Sequence, residues 1–391
     1  MPALSYVAAA VPLFIWVYLL FGRGGFWREP RRSGAAALGS SASPAAAPSR
    51  SIVAVIPARD EAHVIGRAVG SLLRQRLAGS IHVVVIDDGS SDGTAESALA
   101  AARAAGGSAA LTVLTGAPLP PGWTGKLWAL SQGLALAVQR RPDYLLLTDA
   151  DIHHDPDNVA ALVAHAEASG CELVSFMVRL SVASFAERCL IPAFVFFFLK
   201  LYPPAWIASA RSRTAGAAGG CVLLRPSALE RIGGLQAIRS EIIDDCALAR
   251  AVKGSGGRIW LGLTRTAHSL RCYATFAEVG RLISRTAFSQ LRHSYLLLLA
   301  TLGGLAATYL APPLLVATAH HPSVALGASA WALMSLAYLP MVRFYGLSPL
   351  WSVSLPAVAL FYGGATAHSA LQYALGRGGS WKGRAQDVRA L

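Results

Sequence analysis

The sequence is short of charge, and shorter still of acid. Asp, Glu, Lys and Arg make up 14% of its 391 residues, and 34 basic residues face 21 acidic ones. With 54% hydrophobic residues and a mean hydropathy of +0.47, that shortage excludes an ordinary soluble domain. Cysteine is scarce as well. Cys171, Cys189, Cys221, Cys246 and Cys272 are scattered and form no C-x-x-C. A zinc site and a disulfide framework are thereby excluded, and a reducing compartment is expected. Basic runs interleaved with aromatics are missing, so the net charge of +13 does not point to nucleic acid as a partner. The basic residues gather beside apolar blocks instead, as at Arg23, Arg28, Arg31 and Arg32. That placement suits a membrane flank facing anionic headgroups.

The apolar excess comes in blocks. Residues 3–21 are nearly all apolar and are followed by arginines rather than a signal-peptidase site. Residues 1–22 are therefore expected to form an N-terminal transmembrane anchor with residue 23 onward on the cytoplasmic side. Residues 23–50 read as a basic flank and a flexible linker of small residues. From 51 to 292 short β-rich runs (52–57, 82–88, 111–116, 144–151 and 173–178) alternate with Ala/Leu-rich helical stretches. This is the α/β pattern with a mainly parallel sheet, whose ligands sit at the carboxyl ends of the strands. Residues 293–376 read as a C-terminal transmembrane region in three apolar blocks, and 377–391 as a basic tail. The apolar stretch 189–201 is 13 residues long, too short to span, and is expected to lie in the membrane interface. Three full C-terminal spans would leave the basic tail outside, against the positive-inside rule, so one block is expected to be re-entrant or interfacial.

The carboxylates fall at strand ends. TDAD (148–151) places Asp149 and Asp151 two residues apart after an apolar strand, a D-x-D whose hard oxygens suit Mg²⁺ or Mn²⁺ bound to a diphosphate. Taken alone it equally fits a solvated turn. VVIDDGSSDGTAE (84–96) puts Asp87 and Asp88 at a second strand end, with Asp92 placed to cap the next helix. PARDEA (57–62) follows the first strand in the same way, and GKLWALSQG (125–133) offers Lys126 at a helix start, where phosphate is favoured. His153 and His154 follow the D-x-D, either as a third metal ligand or as a solvent-facing turn.

The ordered set PARDEA, IDDGSSDGT, GKLWALSQG, TDAD, AAGGCVLLRPSALERIGG and EIIDDCALA resembles the family 2 inverting glycosyltransferases of GT-A fold, over roughly residues 51–292. PPGWTGKLWAL, RIWLGLTR, RTAFSQLR, RFYGLSPLW and GGSWKGR are similar to the hopanoid-biosynthesis-associated members. The resemblance implies donor-binding roles for Pro57, Arg59, Glu61, Asp88, Lys126 and Asp149, with Asp88 on the base. It implies metal ligation by Asp149 and Asp151, and catalysis by Asp245 as base beside Asp244, where many relatives carry Glu. An inverting transfer needs one carboxylate to deprotonate the acceptor hydroxyl while a metal stabilises the departing diphosphate. Asp244 and Asp245 also fit an acid-rich helix start. Gly219 and Gly220 match a loop that approaches the acceptor in relatives, and equally an ordinary loop. The Q-x-x-R-W of many membrane-bound relatives is replaced by SRTAFSQLRHS (284–294). Arg285, Gln290 and Arg292 are acceptor or phosphate candidates there, or a basic collar, and Trp381, Lys382 and Arg384 of the tail are further candidates.

The expected activity is transfer of a sugar from a UDP-sugar to a membrane lipid hydroxyl, in hopanoid or similar isoprenoid biosynthesis. The expected location is the bacterial inner membrane, with several spans and a cytoplasmic catalytic domain. The alternatives are a polyprenyl-phosphate sugar synthase of the same fold and a catalytically silent membrane scaffold.

Overall fold

The computed structural model describes residues 2–28, 49–318 and 320–377, together with the backbone of 380–381 and 384–385. The chain divides into two compact units. A helical unit holds residues 1–29, 182–206 and 272–378, and an α/β unit holds 30–181, 207–271 and 379–391. The helical unit opens the chain with α1 (Pro2–Phe21).

The α/β unit begins with β1 (Arg50–Ala58), α2 (Ala62–Leu73), β2 (Gly79–Asp87), α3 (Thr94–Ala104) and β3 (Leu111–Thr115). It continues with α4 (Gly125–Gln139), β4 (Tyr144–Leu147), β5 (Ile152–His154), α5 (Asn158–Ser169) and β6 (Leu173–Arg179). The inner strands are continuous apolar runs, IVAVI in β1 and YLLL in β4, because both faces of the sheet are covered. Strands β1, β2, β3 and β4 run parallel, with Ala58 level with Asp87 and Val55 level with Leu147. That register brings the segments after β1, β2 and β4 to one edge, and they are the segments that carry PARDEA, IDDGSSD and TDAD. Helix α4 packs tightly on this sheet. A Cβ at Gly133 would stand 2.2 Å from Ile86 Cδ1 and 2.6 Å from Val55 Cγ1, so only glycine permits the approach.

The chain then leaves through α6 (Phe185–Leu201) and α7 (Pro204–Ala208), and returns as β7 (Val222–Leu224), α8 (Pro226–Arg231), α9 (Asp244–Gly254) and β8 (Ile259–Ser269). Here the expected mainly parallel sheet needs correction, because the eight-stranded sheet is mixed. Its order is β3-β2-β1-β4-β7-β6-β8-β5, and β7 runs against both β4 and β6 while β5 runs against β8. A parallel neighbour needs a crossover from one sheet edge to the other. Residues 180–221 instead leave and rejoin the sheet at the same edge, so β7 reverses.

The helical unit is completed by α10 (Phe276–Gln290), α11 (Tyr295–Leu305), α12 (Ala311–Thr318), α13 (Ser323–Phe344) and α14 (Leu355–Ala374), with a π-helical turn at Ala306–Leu310. Among the described residues four helical segments are long and apolar enough to cross a membrane: Phe185–Ala208, Tyr295–Thr318, Ser323–Phe344 and Pro349–Ala374. The first contains the stretch 189–201, so the helix is longer than the 13 apolar residues that mark it in the sequence. In α6 Leu190, Ile191, Val195, Phe196 and Leu199 are buried within the helical unit. Ser184 and Glu187 form a capping box at its start. In α1 the described apolar segment, Ala9–Phe21, falls short of that length.

Candidate active site

The loops after β1 and β2 are stitched to each other. Asp60 Oδ1 accepts from the Ser91 amide (2.9 Å), the Glu61 amide donates to Thr94 Oγ1 (2.8 Å) and Asp92 Oδ2 accepts from the Ala62 amide (2.9 Å). Asp92 also accepts from the Thr94 amide at 3.1 Å. It thus serves the first turns of α2 and α3 together, although the N-cap residue of α3 is Gly93. Arg59 Nη1 donates to the Asp88 carbonyl, and Asp88 is 1% exposed.

Lys126, in the first turn of α4, ties two acidic motifs together. Its Nζ lies 2.9 Å from Asp149 Oδ1 and 3.1 Å from Asp244 Oδ2. Burial alone would push this ammonium toward neutrality. Asp149 and Asp244 outweigh that, and its pKa is raised. Asp245 stands beside the pair at the start of α9. Its Oδ2 accepts from the Gly219 amide (2.8 Å) and its Oδ1 from the Cys246 amide (2.7 Å). Burial first, and the neighbouring Asp244 second, push its carboxyl up to about 6, while Lys126 and the two amides hold it down. A carboxylate oriented by backbone donors, with a pKa near working pH, is suited to accept a proton.

These groups face a common cavity of about 360 Å³ that is open to solvent. Pro57, Lys126, Thr148, Asp149, Gly219, Asp244 and Asp245 line it, with Leu130, Leu235 and Leu248 among its apolar walls. The structure therefore brings together Pro57, Lys126, Asp149, Gly219 and both acids of IDDCAL from motifs up to 188 positions apart in sequence. A Cβ on Gly219 would meet Asp245 Oδ2 at 3.3 Å and Lys126 Nζ at 3.4 Å, so the glycine keeps the cavity floor open. Gly220 has a packing environment instead, its added Cβ meeting Val178 and Ile152 side chains at 3.1 and 3.3 Å.

Arg59, Glu61, Asp88 and Asp151 are outside the cavity walls. Asp151 Oδ2 accepts from Arg271 Nε (2.9 Å), and the same guanidinium bonds Glu61 Oε1 through Nη2. Sequence reasoning missed Arg271, which lies two residues beyond β8 in no motif. The two histidines differ from expectation. His154 is buried, with Nε2 on Thr148 Oγ1 (2.9 Å) and Nδ1 on Asn158 Nδ2 (2.9 Å), so both ring nitrogens are spent in the core. Burial pushes its pKa down to about 3. His153 Nε2 lies 3.8 Å from Asp155, and its ring is 4.8 Å from that of His268.

The fit to a divalent ion rests on Asp149 and Asp151. Among the described residues no group of three or more His, Cys, Asp or Glu could by itself hold a metal. Both contacts of Asp151 run through Oδ2, leaving Oδ1 available. Mg²⁺ is commonly held by one or two carboxylates completed by substrate phosphates, and this pair meets that requirement.

The remaining candidates belong elsewhere. Arg285, Gln290 and Arg292 lie in the helical unit, where Gln290 Nε2 donates to Tyr202 Oη (2.8 Å). Arg292 is exposed on a turn in which it and His293 take φ values of 52° and 56°. Trp381 and Arg384 are described by backbone alone, as paired residues of β9 (Ser380–Trp381) and β10 (Arg384–Ala385), and Lys382 lies outside the described residues.

Comparison with known proteins gives the following. The mannosyltransferase PcManGT from Pyrobaculum calidifontis, solved with GDP-Man and Mn²⁺, is 18% identical with a TM-score of 0.56, covering 94% of this chain and 97% of that one. Glucosyl-3-phosphoglycerate synthase from Mycobacterium tuberculosis is 19% identical with a TM-score of 0.39, covering 62% and 80%. No curated protein sequence matches. The sequence model of Glycosyl transferase family 2 matches residues 53–233, from β1 to the turn after α8. Those residues match a glycosyl transferase family 2 domain, on a GT-A-like fold with a mixed sheet.

Proposed function

We propose that this chain is an inverting glycosyltransferase that moves a sugar from a nucleotide donor to a hydroxyl group of a membrane lipid. The observation that carries the reading is Asp245. It is held by the Gly219 and Cys246 amides in a cavity whose facing acid, Asp149, is bridged to Asp244 by Lys126. The base is thus separate from the D-x-D, as a single displacement requires. In that step the acceptor oxygen forms a bond to the anomeric carbon and its proton passes to Asp245. The bond from that carbon to the diphosphate oxygen breaks on the opposite face, and the electron pair leaves with the nucleoside diphosphate. Asp149 and Asp151 would hold Mg²⁺ or Mn²⁺, which supplies charge stabilisation for the departing diphosphate. Lys126, next to Asp149, adds a second cation on the same side.

The four apolar helical segments support a membrane location. Both flanks of Phe185–Ala208 continue into the α/β unit. A single crossing there would place the two flanks on opposite sides of the bilayer, so this segment lies in the interface. The spans are then drawn from the C-terminal helical segments. The donor is a UDP-sugar by the family resemblance, and the GDP-Man in the PcManGT structure makes GDP-mannose the competing candidate. The acceptor class follows the hopanoid-associated resemblance, and a polyprenyl phosphate is the second reading, favoured by the basic Arg285 and Arg292.

The test is transfer by detergent-purified protein with a panel of UDP- and GDP-sugars, with and without EDTA, against added hopanoid or polyprenyl phosphate. Metal-dependent turnover of one donor, lost in Asp245→Asn, supports the reading. Absence of both donor binding and turnover refutes it and leaves a scaffold role.

A further inference from the structure

We infer that Arg23 and Lys200 form a binding niche for the phosphate of an anionic phospholipid on the helical unit. The inference rests on the membrane reading above and adds a ligand site that the glycosyl transfer does not use.

The helical unit has nine arginines and lysines but only two glutamates among its described residues. Both glutamates are spent on backbone amides. Glu187 accepts from Ser184 (2.9 Å) and Tyr273 (2.6 Å), and Glu278 from Ala274 (2.6 Å) and Thr275 (3.3 Å). None of the nine cations forms an ion pair with a carboxylate among the described residues. Most are exposed arginines that water solvates. Lys200 and Arg23 are different, because both are half-buried and backed by aromatic rings.

Lys200 Nζ donates to Tyr309 Oη (2.7 Å), and sits 4.8 Å from the Tyr309 ring centre and 5.3 Å from that of Phe197. An ammonium has three donors, and this phenol accepts one. Tyr309 is fully buried and anchors that ammonium through its hydroxyl oxygen. Arg23 Nε donates to the Lys200 carbonyl (3.1 Å), and its guanidinium carbon lies 4.7 Å above Trp206. Gly24, at φ +64°, brings the backbone against Trp206, where a Cβ would stand 2.8 Å from the indole nitrogen. Capping the C-terminal end of α6 accounts for Arg23 Nε alone. The remaining donors of the two cations, which are linked through the Lys200 carbonyl, call for a ligand with several anionic oxygens.

The apolar surroundings identify that ligand as an amphiphile. Leu201 follows Lys200 directly and is 47% exposed, while Tyr18 and Phe21, just before Arg23, are 53% and 76% exposed. A phospholipid would set its phosphate on the cations and its acyl chains along these side chains. A free phosphate would leave them in water.

The experiment is native mass spectrometry of the full chain, extracted in detergent and exchanged into mixed phosphatidylglycerol and phosphatidylcholine. Retained lipid is measured for wild type, Arg23→Gln, Lys200→Gln, Lys200→Arg and the control Arg343→Gln. Preferential retention of phosphatidylglycerol is expected in wild type and Arg343→Gln. It should fall about fivefold for each cation neutralised in the niche and survive in Lys200→Arg. Equal retention in every variant, an equal fall in Arg343→Gln, or displacement by inorganic phosphate would overturn the inference. Carbonate extraction of native membranes is run in parallel. Protein that stays in the membrane yet shows no lipid preference refutes the niche alone, whereas protein released by carbonate refutes the membrane reading.

Discussion

Replacing Asp245 by Asn should make the protein more stable and catalytically dead. Burial and Asp244 raise the Asp245 carboxyl from 3.8 to about 6. Ionising it in the folded state at neutral pH therefore costs about 3 kcal/mol relative to the unfolded chain. Asn removes that cost. It keeps one backbone amide as a donor to its carbonyl oxygen but turns its NH₂ toward the other, a loss of about 1 kcal/mol. The net gain at pH 7.5 is about 2 kcal/mol, or roughly 4–8 °C in Tm for a domain of this size. The sign follows from linkage. Between pH 4 and 6 the folded state binds more protons than the unfolded one, so the native carboxyl destabilises progressively as pH rises through that window. The advantage of Asn should accordingly shrink by about 1 kcal/mol when pH is lowered from 7 to 5. Turnover should fall by about 10²–10⁴ at all pH values, the usual worth of a general base. Thermal unfolding and initial rates on the same preparations at both pH values provide the assay. Equal or lower stability of Asp245→Asn at pH 7.5, or turnover within tenfold of wild type, would refute the assignment.

Lys126→Met strips the shared cation from Asp149 and Asp244; a stability loss of about 2–3 kcal/mol and turnover below 1% are expected, checked by chemical unfolding and rate. Gly219→Ala introduces a Cβ 3.3 Å from Asp245 Oδ2, so a roughly tenfold rate loss with Tm nearly unchanged is expected from paired kinetics and melting. His154 is buried neutral with its pKa pushed down to about 3, so the unfolded chain takes up the proton first as pH falls below 6.5. In an Asp245→Asn background, where the opposing carboxyl is gone, lowering pH from 7 to 5 should cost about 2 kcal/mol by denaturant titration. Asp151→Ala should abolish EDTA-sensitive turnover and weaken Mn²⁺ binding measured by calorimetry in the presence of nucleoside diphosphate.

Much of the α/β unit was legible because its strands are written as apolar runs with polar ends. All five expected β runs are strands, β1, β2, β3, β4 and β6. The parallel register of β1, β2 and β4 follows from helical crossovers whose pattern the sequence displays. What was not legible was β5 and β7, three residues each, and β8, whose GLTRTAHS half is polar. Three-residue strands carry no periodicity, and their direction depends on where the chain returns, which made the sheet mixed.

The site divides along the same line. The residue types were set by local sequence: D-x-D after a strand, a lysine at a helix start, two acids opening α9. Their roles toward one another were not. Lys126 sits 23 positions from Asp149 and 118 from Asp244, and only the folded chain puts one ammonium on both. The same holds for Arg271, paired with Asp151 and Glu61, and for His154, which sequence placed beside the metal ligands and the core claimed. Sequence by itself thus determined the chemistry available, because side-chain types and strand-end positions are local properties. Tertiary structure decided which charges neutralise one another and which carboxylate is left with a raised pKa, because burial and distances of about 3 Å between remote residues exist only once the chain is folded.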